Sequence, residues 1–184
     1  KVFKKQLRVV LIKAEGPMGR GVGPALELID VIDVLDPKKQ GPKDLEEKSL
    51  FLAGQLLEMT GKAKAKNGTK MAKEILDSGK AFKKFQEIVK AQKGSMKEIK
   101  LAKFKKSIIA KKSGTIREIH NKKINSLARV AGCPVDKFAG IRFHKSLRSK
   151  VKKGDKIMTI YSESKSRLTK AIHFYENTKP LKLR

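Results

Sequence analysis

Five residues, Gly19-Arg20-Gly21-Val22-Gly23, carry the clearest chemical possibility in this chain. They stand directly before an apolar-periodic run that opens on Pro24, the residue type favoured in the first turn of a helix. Glycines let backbone N–H groups come close to an anion, and the amino terminus of a helix favours negative charge. The segment lacks the Lys-Ser/Thr ending of a nucleoside triphosphate loop, and its glycine spacing is not that of the dinucleotide fingerprint. The plainer reading is that the glycines permit a turn and close packing of helix on sheet. Arg20 is then the one side chain with a phosphate or carboxylate contact in prospect, with Gly19 and Gly21 beside it at a pocket edge.

Other reactive residue types offer less. Glu27, Asp30 and Asp33 follow one another at a spacing of three on one helix, which reads as a solvated face and not as an acid–base pair. Cys133, in an Ala-Gly-Cys-Pro setting with no histidine or acid beside it, reads as a small buried filler and not a nucleophile. His120, His144 and His173 are far apart and lack metal-ligand spacing, so no metal site is expected. No self-sufficient catalytic constellation emerges, and no cofactor is implied.

The elements that must position these residues follow from hydrophobic period and punctuation. Leu7 to Ile12 is an apolar run of strand length leading into the glycine-rich turn. Such a strand needs neighbours on both edges, which the following residues do not supply, so the chain reads as the second half of something. A helix over residues 24–35 ends before Pro37, and 36–43 is a turn-rich loop. Asp44 and Glu47 have capping-box spacing for a helix running to about Thr60. Further helices are expected from Thr69 to Gly79 and from Lys80 to Gln92, then a linker over 95–106. Thereafter the texture changes to short strands. Ser107–Lys111 and Thr115–Ile119 flank Ser113-Gly114 and read as a hairpin. A helix follows from Asn121 to Ala131, strands at Gly140–His144 and Lys156–Tyr161, and a final helix from about Glu163 to Asn177. The domain expectation is therefore 1–94, a linker at 95–106, and 107–184. The fold class expected is mixed: a strand–helix part of an α/β domain with a helical stretch, then a small α+β barrel-sandwich-like module.

Composition sets the remaining bounds. At 184 residues the chain holds one ordinary domain, or part of one with a small second domain. One cysteine, no signal-peptide pattern and no run of eighteen apolar residues point to a soluble cytoplasmic protein without membrane contact. The net charge is +27, and it is unevenly placed. Residues 14–60 hold nine acidic and five basic side chains, whereas residues 61–184 hold nine acidic and thirty-five basic. Such a field attracts polyanions. Yet the cations are thirty-seven lysines against eight arginines, without interleaved aromatics for base stacking, which favours a solvated lysine-rich surface over specific recognition.

Several blocks carry a family resemblance. Gly19-Arg20-Gly21-Val22-Gly23-Pro24-Ala25-Leu26-Glu27 is similar to a Gly-Arg-x-Ile-Gly-Pro-Ala-Leu-Glu segment of the thymidine phosphorylase relatives, especially the archaeal AMP phosphorylases. Glu47-Lys48-Ser49-Leu50, Leu52-Ala53-Gly54 and the run from Ala72 to Ala81 resemble the helices that follow it. In the second half, Ala128-Arg129-Val130-Ala131-Gly132, Ala139-Gly140-Ile141, His144-Lys145, Lys153-Gly154-Asp155 and the run from Thr159 to Ser164 continue the pattern.

The resemblance implies the last part of a central α/β domain followed by the carboxy-terminal domain. Its members cleave the N-glycosidic bond of a nucleoside or nucleotide with inorganic phosphate as co-substrate; for AMP the products are the base and ribose 1,5-bisphosphate. Their Lys-His-Ser and Gly-Gly phosphate loop and base-contacting residues precede the part that matches, so no catalytic residue carries over. Two departures stand out: Lys13-Ala14-Glu15-Gly16-Pro17 replaces a usually polar stretch, and Arg148-Ser149 replaces a glycine-containing turn. The expected partner is the missing amino-terminal half as a separate chain, with homo-oligomerisation of the complete enzyme; a truncated or degenerate form is the other explanation. The rival from another class is a basic RNA- or DNA-binding protein. A biotinyl or lipoyl carrier is disfavoured, since a helix stands where the lysine-tipped hairpin belongs.

Overall fold

The computed structural model describes residues 7–12 and 15–184. After β1 (Gly21–Val22) come four helices: α1 (Pro24–Leu35), α2 (Lys43–Met59), α3 (Gly68–Asp77) and α4 (Lys80–Ala91). Then follow β2 (Phe104–Ile109), β3 (Gly114–Ile119), α5 (Asn121–Ala131), β4 (Gly140–Phe143), β5 (Lys150–Val151), β6 (Lys156–Ser162), α6 (Lys165–Thr178) and β7 (Leu181–Leu183). Mixed helix and antiparallel sheet is the class the sequence implies.

The helices form where apolar period and punctuation place them. Pro24 sits at the start of α1, and Gly79 takes a left-handed conformation between α3 and α4. In α2 and α3 the contact is glycine on glycine: Gly54 and Gly68 are buried, and Gly68 N donates to Glu58 Oε1 at 3.0 Å. Asp44 does not cap α2. The helix starts two residues earlier, at Lys43 behind Pro42, and Asp44 turns out of the first turn toward Gly19.

Two antiparallel sheets make up the second half, in the orders β1-β4-β6-β2 and β5-β3-β7. The expected hairpin around Ser113-Gly114 does not exist, because β2 pairs with β6 while β3 pairs with β5 and β7. The β2 ladder is irregular at Ile108/Ile109, after which Ala110 bonds to the turn before β6, through Asp155 O and Gly154 N. The chain thus crosses from one sheet to the other instead of folding back. β2 begins at Phe104, inside the stretch read as linker.

Between the sheets and helices lies a core of Ile116, Ile124, Leu127, Ile141, Met158 and Ile160, with Ala131 and Ala171 where α5 and α6 approach closely. Each fully buried aliphatic chain of that size contributes roughly 1.5–3 kcal/mol.

The glycine-rich segment is stitched into this second half. Gly21 and Val22 pair with Arg142 and Ile141, Phe143 N donates to Arg20 O at 2.6 Å, and Ala25 N donates to Lys137 O at 3.1 Å. Gly140 makes the approach possible. Its φ of +146° is one that L side chains rarely adopt, and a Cβ there would run into the Val22 carbonyl oxygen.

Leu7 to Ile12 forms no strand within the described residues, and its backbone makes no hydrogen bond to any of them. Its side chains nevertheless alternate. Arg8 reaches α2, with Nη1 2.7 Å from Gln55 Oε1 and 3.7 Å from Glu58 Oε2, and Val10 is half-buried. Leu7, Val9 and Leu11 point away and are 75–96 % exposed. A strand signature with no ladder to join leaves its backbone unpaired.

Candidate functional site

The three acids of α1 do not form a solvated face. Asp30 is buried, only 2 % exposed, one helical turn from the fully buried Leu26. Its Oδ2 accepts from Arg20 N at 2.6 Å and from Gly21 N at 2.7 Å. Gly19 N donates to Asp44 Oδ2 at 3.1 Å, and Gly23 N to Glu27 Oε1 at 3.0 Å. The glycine-rich segment is therefore a cradle of converging amides, but the chain's own carboxylates occupy it. Gly19 is held at φ +76°, and a Cβ there would stand 2.7 Å from Asp30 Oδ2, so the cradle requires glycine at that position. Asp33, the third acid, pairs with Lys39 at 3.4 Å.

Asp30 is the residue the sequence reading missed. Its signal was available: Leu26 and Asp30 are four apart, so a helix that buries one faces the other the same way. The Oδ1 atom of Asp30 is buried without a hydrogen-bond partner.

Beside this cradle opens a cleft of about 1210 Å³. One wall is the entry segment, with Ile12, Pro17, Met18 and Arg20; another is the α1–α2 loop and the start of α2, from Lys39 to Lys48. The third is the end of β4 and the loop after it, from Arg142 to Arg148. Seven cationic side chains line it, namely Arg20, Lys39, Lys43, Lys48, Arg142, Lys145 and Arg148, against the acids Glu15, Asp44 and Glu46. Arg20 Nη2 donates to Gln40 O at 3.2 Å, which holds its guanidinium over the α1–α2 loop. Of the expected pocket-edge residues, Arg20 therefore faces the cleft with its side chain, while the amides of Gly19 and Gly21 are engaged by acids.

His144 stands on the rim of the same cleft. Its Nε2 lies 2.8 Å from Thr159 Oγ1, which lies 3.2 Å from Ser107 Oγ, a polar row running from just past the end of β4 across β6 to β2. Partial burial, then the charges of Arg142 and Lys156, hold its pKa below the ordinary histidine value. His120 and His173 are exposed, outside the cleft lining.

Cys133 is half-buried, packed against the core. Burial foremost, then the charge of Glu27, pushes its thiol pKa up, which disfavours the nucleophilic thiolate. Among the described residues no group of three or more His, Cys, Asp or Glu side chains could hold a metal ion, and no helix is long and apolar enough to cross a membrane.

Comparison with known proteins gives this architecture relatives. Residues 115–181 match the family model described as the pyrimidine nucleoside phosphorylase C-terminal domain. The chain is 44% identical to an AMP phosphorylase of Methanococcus aeolicus over 181 residues, which are 97% of this chain and 36% of that protein. It is 46% identical to an AMP phosphorylase of Methanococcoides burtonii over 160 residues, 85% of this chain and 31% of that one. The chain thus spans about a third of the length of these curated relatives.

Proposed function

Because the chain belongs to the AMP phosphorylase and pyrimidine nucleoside phosphorylase family, whose carboxy-terminal domain it carries, we propose that it works as the carboxy-terminal part of a nucleotide phosphorylase. The substrate is AMP or a related nucleoside 5'-monophosphate. In the reaction an oxygen of inorganic phosphate bonds to C1' of the ribose as the N-glycosidic bond breaks. The bonding pair leaves with the base, which takes up a proton, and the sugar becomes ribose 1,5-bisphosphate. The phosphate loop and the base contacts come from the remaining, amino-terminal portion of such an enzyme, in the same chain or on a partner subunit.

The observation that carries this reading is identity of 44% extending over 97% of the chain to a protein named AMP phosphorylase. Two features of the structure support it. Leu7 to Ile12 presents an exposed apolar edge and an unpaired backbone, as a strand does when its sheet is completed elsewhere. The cleft between the entry segment, the start of α2 and the β4–β5 loop is cationic, which suits a phosphorylated substrate and a phosphate nucleophile.

The rival reading, a nucleic-acid-binding protein, rests on net charge. Phe104 offers it little as a stacking platform, since the Lys103 and Lys165 ammonium groups lie 5.7 and 6.0 Å from its ring centroid.

The test is phosphorolysis of AMP, followed by release of adenine, with this chain and an amino-terminal phosphorylase portion mixed and separate. Adenine release by the mixture and by neither part alone is the expected result. No release by the mixture, under conditions where an intact relative turns AMP over, would contradict the proposal.

A further inference from the structure

Five exposed lysines gather at one tip of the second half, outside the lining of the cleft. Two loops meet there: residues 110–114, where the chain crosses from β2 to β3, and residues 150–155, β5 and the turn after it. Ala110 N donates to Asp155 O at 2.9 Å, and Gly154 N donates to Ala110 O at 2.9 Å. Lys153 N donates to Ser113 Oγ at 3.0 Å, and Gly114 stands opposite Val151 in the β3–β5 register. These bonds bring Lys111, Lys112, Lys150, Lys152 and Lys153 together. Arg184 adjoins them, because its backbone exchanges hydrogen bonds with that of Thr115.

The two loops carry one acid, Asp155, and it is engaged elsewhere. Its Oδ2 pairs with Lys145 at 3.1 Å and accepts from Lys152 N at 3.2 Å. None of the five lysines makes an ion pair among the described residues. Lysines anchored on braced neighbouring loops add their fields, whereas those farther apart than a Debye length are screened from one another. The side chains also select the partner. Neither loop carries an aromatic residue, and its larger apolar residues, Ala110 and Val151, are buried. A protein partner would find no apolar anchor there, and nucleobases no stacking platform. Lysine is a compact solvated charge without the guanidinium fork, which suits backbone phosphates contacted without regard to sequence. Gly154 is exposed, with no atom within 4 Å of where a Cβ would stand, so a long strand meets no obstruction at the turn.

We infer that this tip binds the phosphodiester backbone of a nucleic-acid strand, without base specificity. Lys111, Lys112, Lys152 and Lys153 supply the phosphate contacts, and Lys150 and Arg184 extend the positive field along β5 and β7. The surface goes beyond the phosphorylase reading and does not depend on it. It assigns to one place a binding that net charge alone would spread over the whole molecule.

Fluorescence anisotropy of a labelled oligouridine strand, titrated with the full chain over a series of salt concentrations, tests the inference. Changing Lys111, Lys112, Lys152 and Lys153 together to Gln should weaken binding at least about tenfold at low salt and reduce the slope of log affinity against log salt by about 2–3. Changing Lys70, Lys83, Lys90 and Lys170 together to Gln removes the same charge from scattered exposed positions and should weaken binding no more than about twofold. Should the fourfold tip variant fail to fold, Lys112→Gln and Lys153→Gln singly should each weaken binding about two- to threefold. Equal losses in the tip and scattered variants would overturn the site, as would no binding by the parent chain at low salt. Displacement of the strand by polyglutamate of matched charge as readily as by unlabelled oligouridine would overturn the nucleic-acid assignment in favour of an acidic protein.

Discussion

Asp30 decides the shape of the glycine-rich segment. One carboxylate oxygen gathers the amides of Arg20 and Gly21, and both donors would be left unsatisfied by its removal. A buried donor without a partner costs about 1–3 kcal/mol. Asp30→Ala should therefore lower the unfolding free energy by about 2–4 kcal/mol in urea titration, with Asp30→Asn, which keeps a carbonyl acceptor, in between. A loss under about 0.5 kcal/mol, the range of ordinary surface substitutions, would refute this role. His144 makes a second prediction. Its pKa is lowered in the folded state, chiefly by partial burial. The unfolded state then takes up the proton first, so the stability His144 contributes is complete above its ordinary pKa and is lost as pH falls from there toward the folded value. His144→Gln should flatten the acid limb of a stability–pH profile below about pH 6.5, and an unchanged limb would count against it. At this scale the sequence marked Asp30 only by its spacing of four from Leu26, a signal outweighed because acids at a spacing of three usually face water. What buried this one was a set of backbone amides, invisible in side-chain pattern.

At the scale of elements, the four amino-terminal helices and α5 and α6 lay close to where period and punctuation put them, because a helix makes its hydrogen bonds within itself. The strands were harder. β1, β5 and β7 are two or three residues long and exist only through partners far away in sequence. Ser113-Gly114 carried a sound turn signal between two strand-like runs, yet each run found a different sheet, a choice made by nonlocal packing. Gly140 governs one such pairing. Gly140→Ala forces a Cβ onto the Val22 carbonyl at a φ that alanine resists, and should cost about 2–4 kcal/mol; an unchanged melting midpoint would refute the close approach. Leu7, Val9 and Leu11 give the opposite expectation. They touch almost nothing in the chain, so the triple substitution to Lys should leave its melting midpoint in place while abolishing assembly with the amino-terminal portion. A drop in stability with assembly intact would show that the segment is packed internally.

The whole molecule combines a charge of +27 with apolar surface on its helical half, where Leu28, Val31, Phe51, Leu52 and Leu56 are 36–61 % exposed. The charge predicts weak, sequence-independent nucleic-acid binding that falls steeply between low and moderate salt, readable by fluorescence anisotropy; binding that persists at high salt would instead favour the nucleic-acid reading. The apolar helical face and the unpaired entry segment are the surfaces that the proposed assembly with an amino-terminal portion would cover. The central claim is that this chain supplies the carboxy-terminal part of a working nucleotide phosphorylase. Grafting it in place of the matching portion of the Methanococcus aeolicus AMP phosphorylase tests that claim most directly. The account predicts a chimaera that releases adenine from AMP in a phosphate-dependent manner at a rate within about tenfold of the parent, a barrier raised by no more than about 1.4 kcal/mol. A folded, assembled chimaera with no phosphorolysis would contradict it.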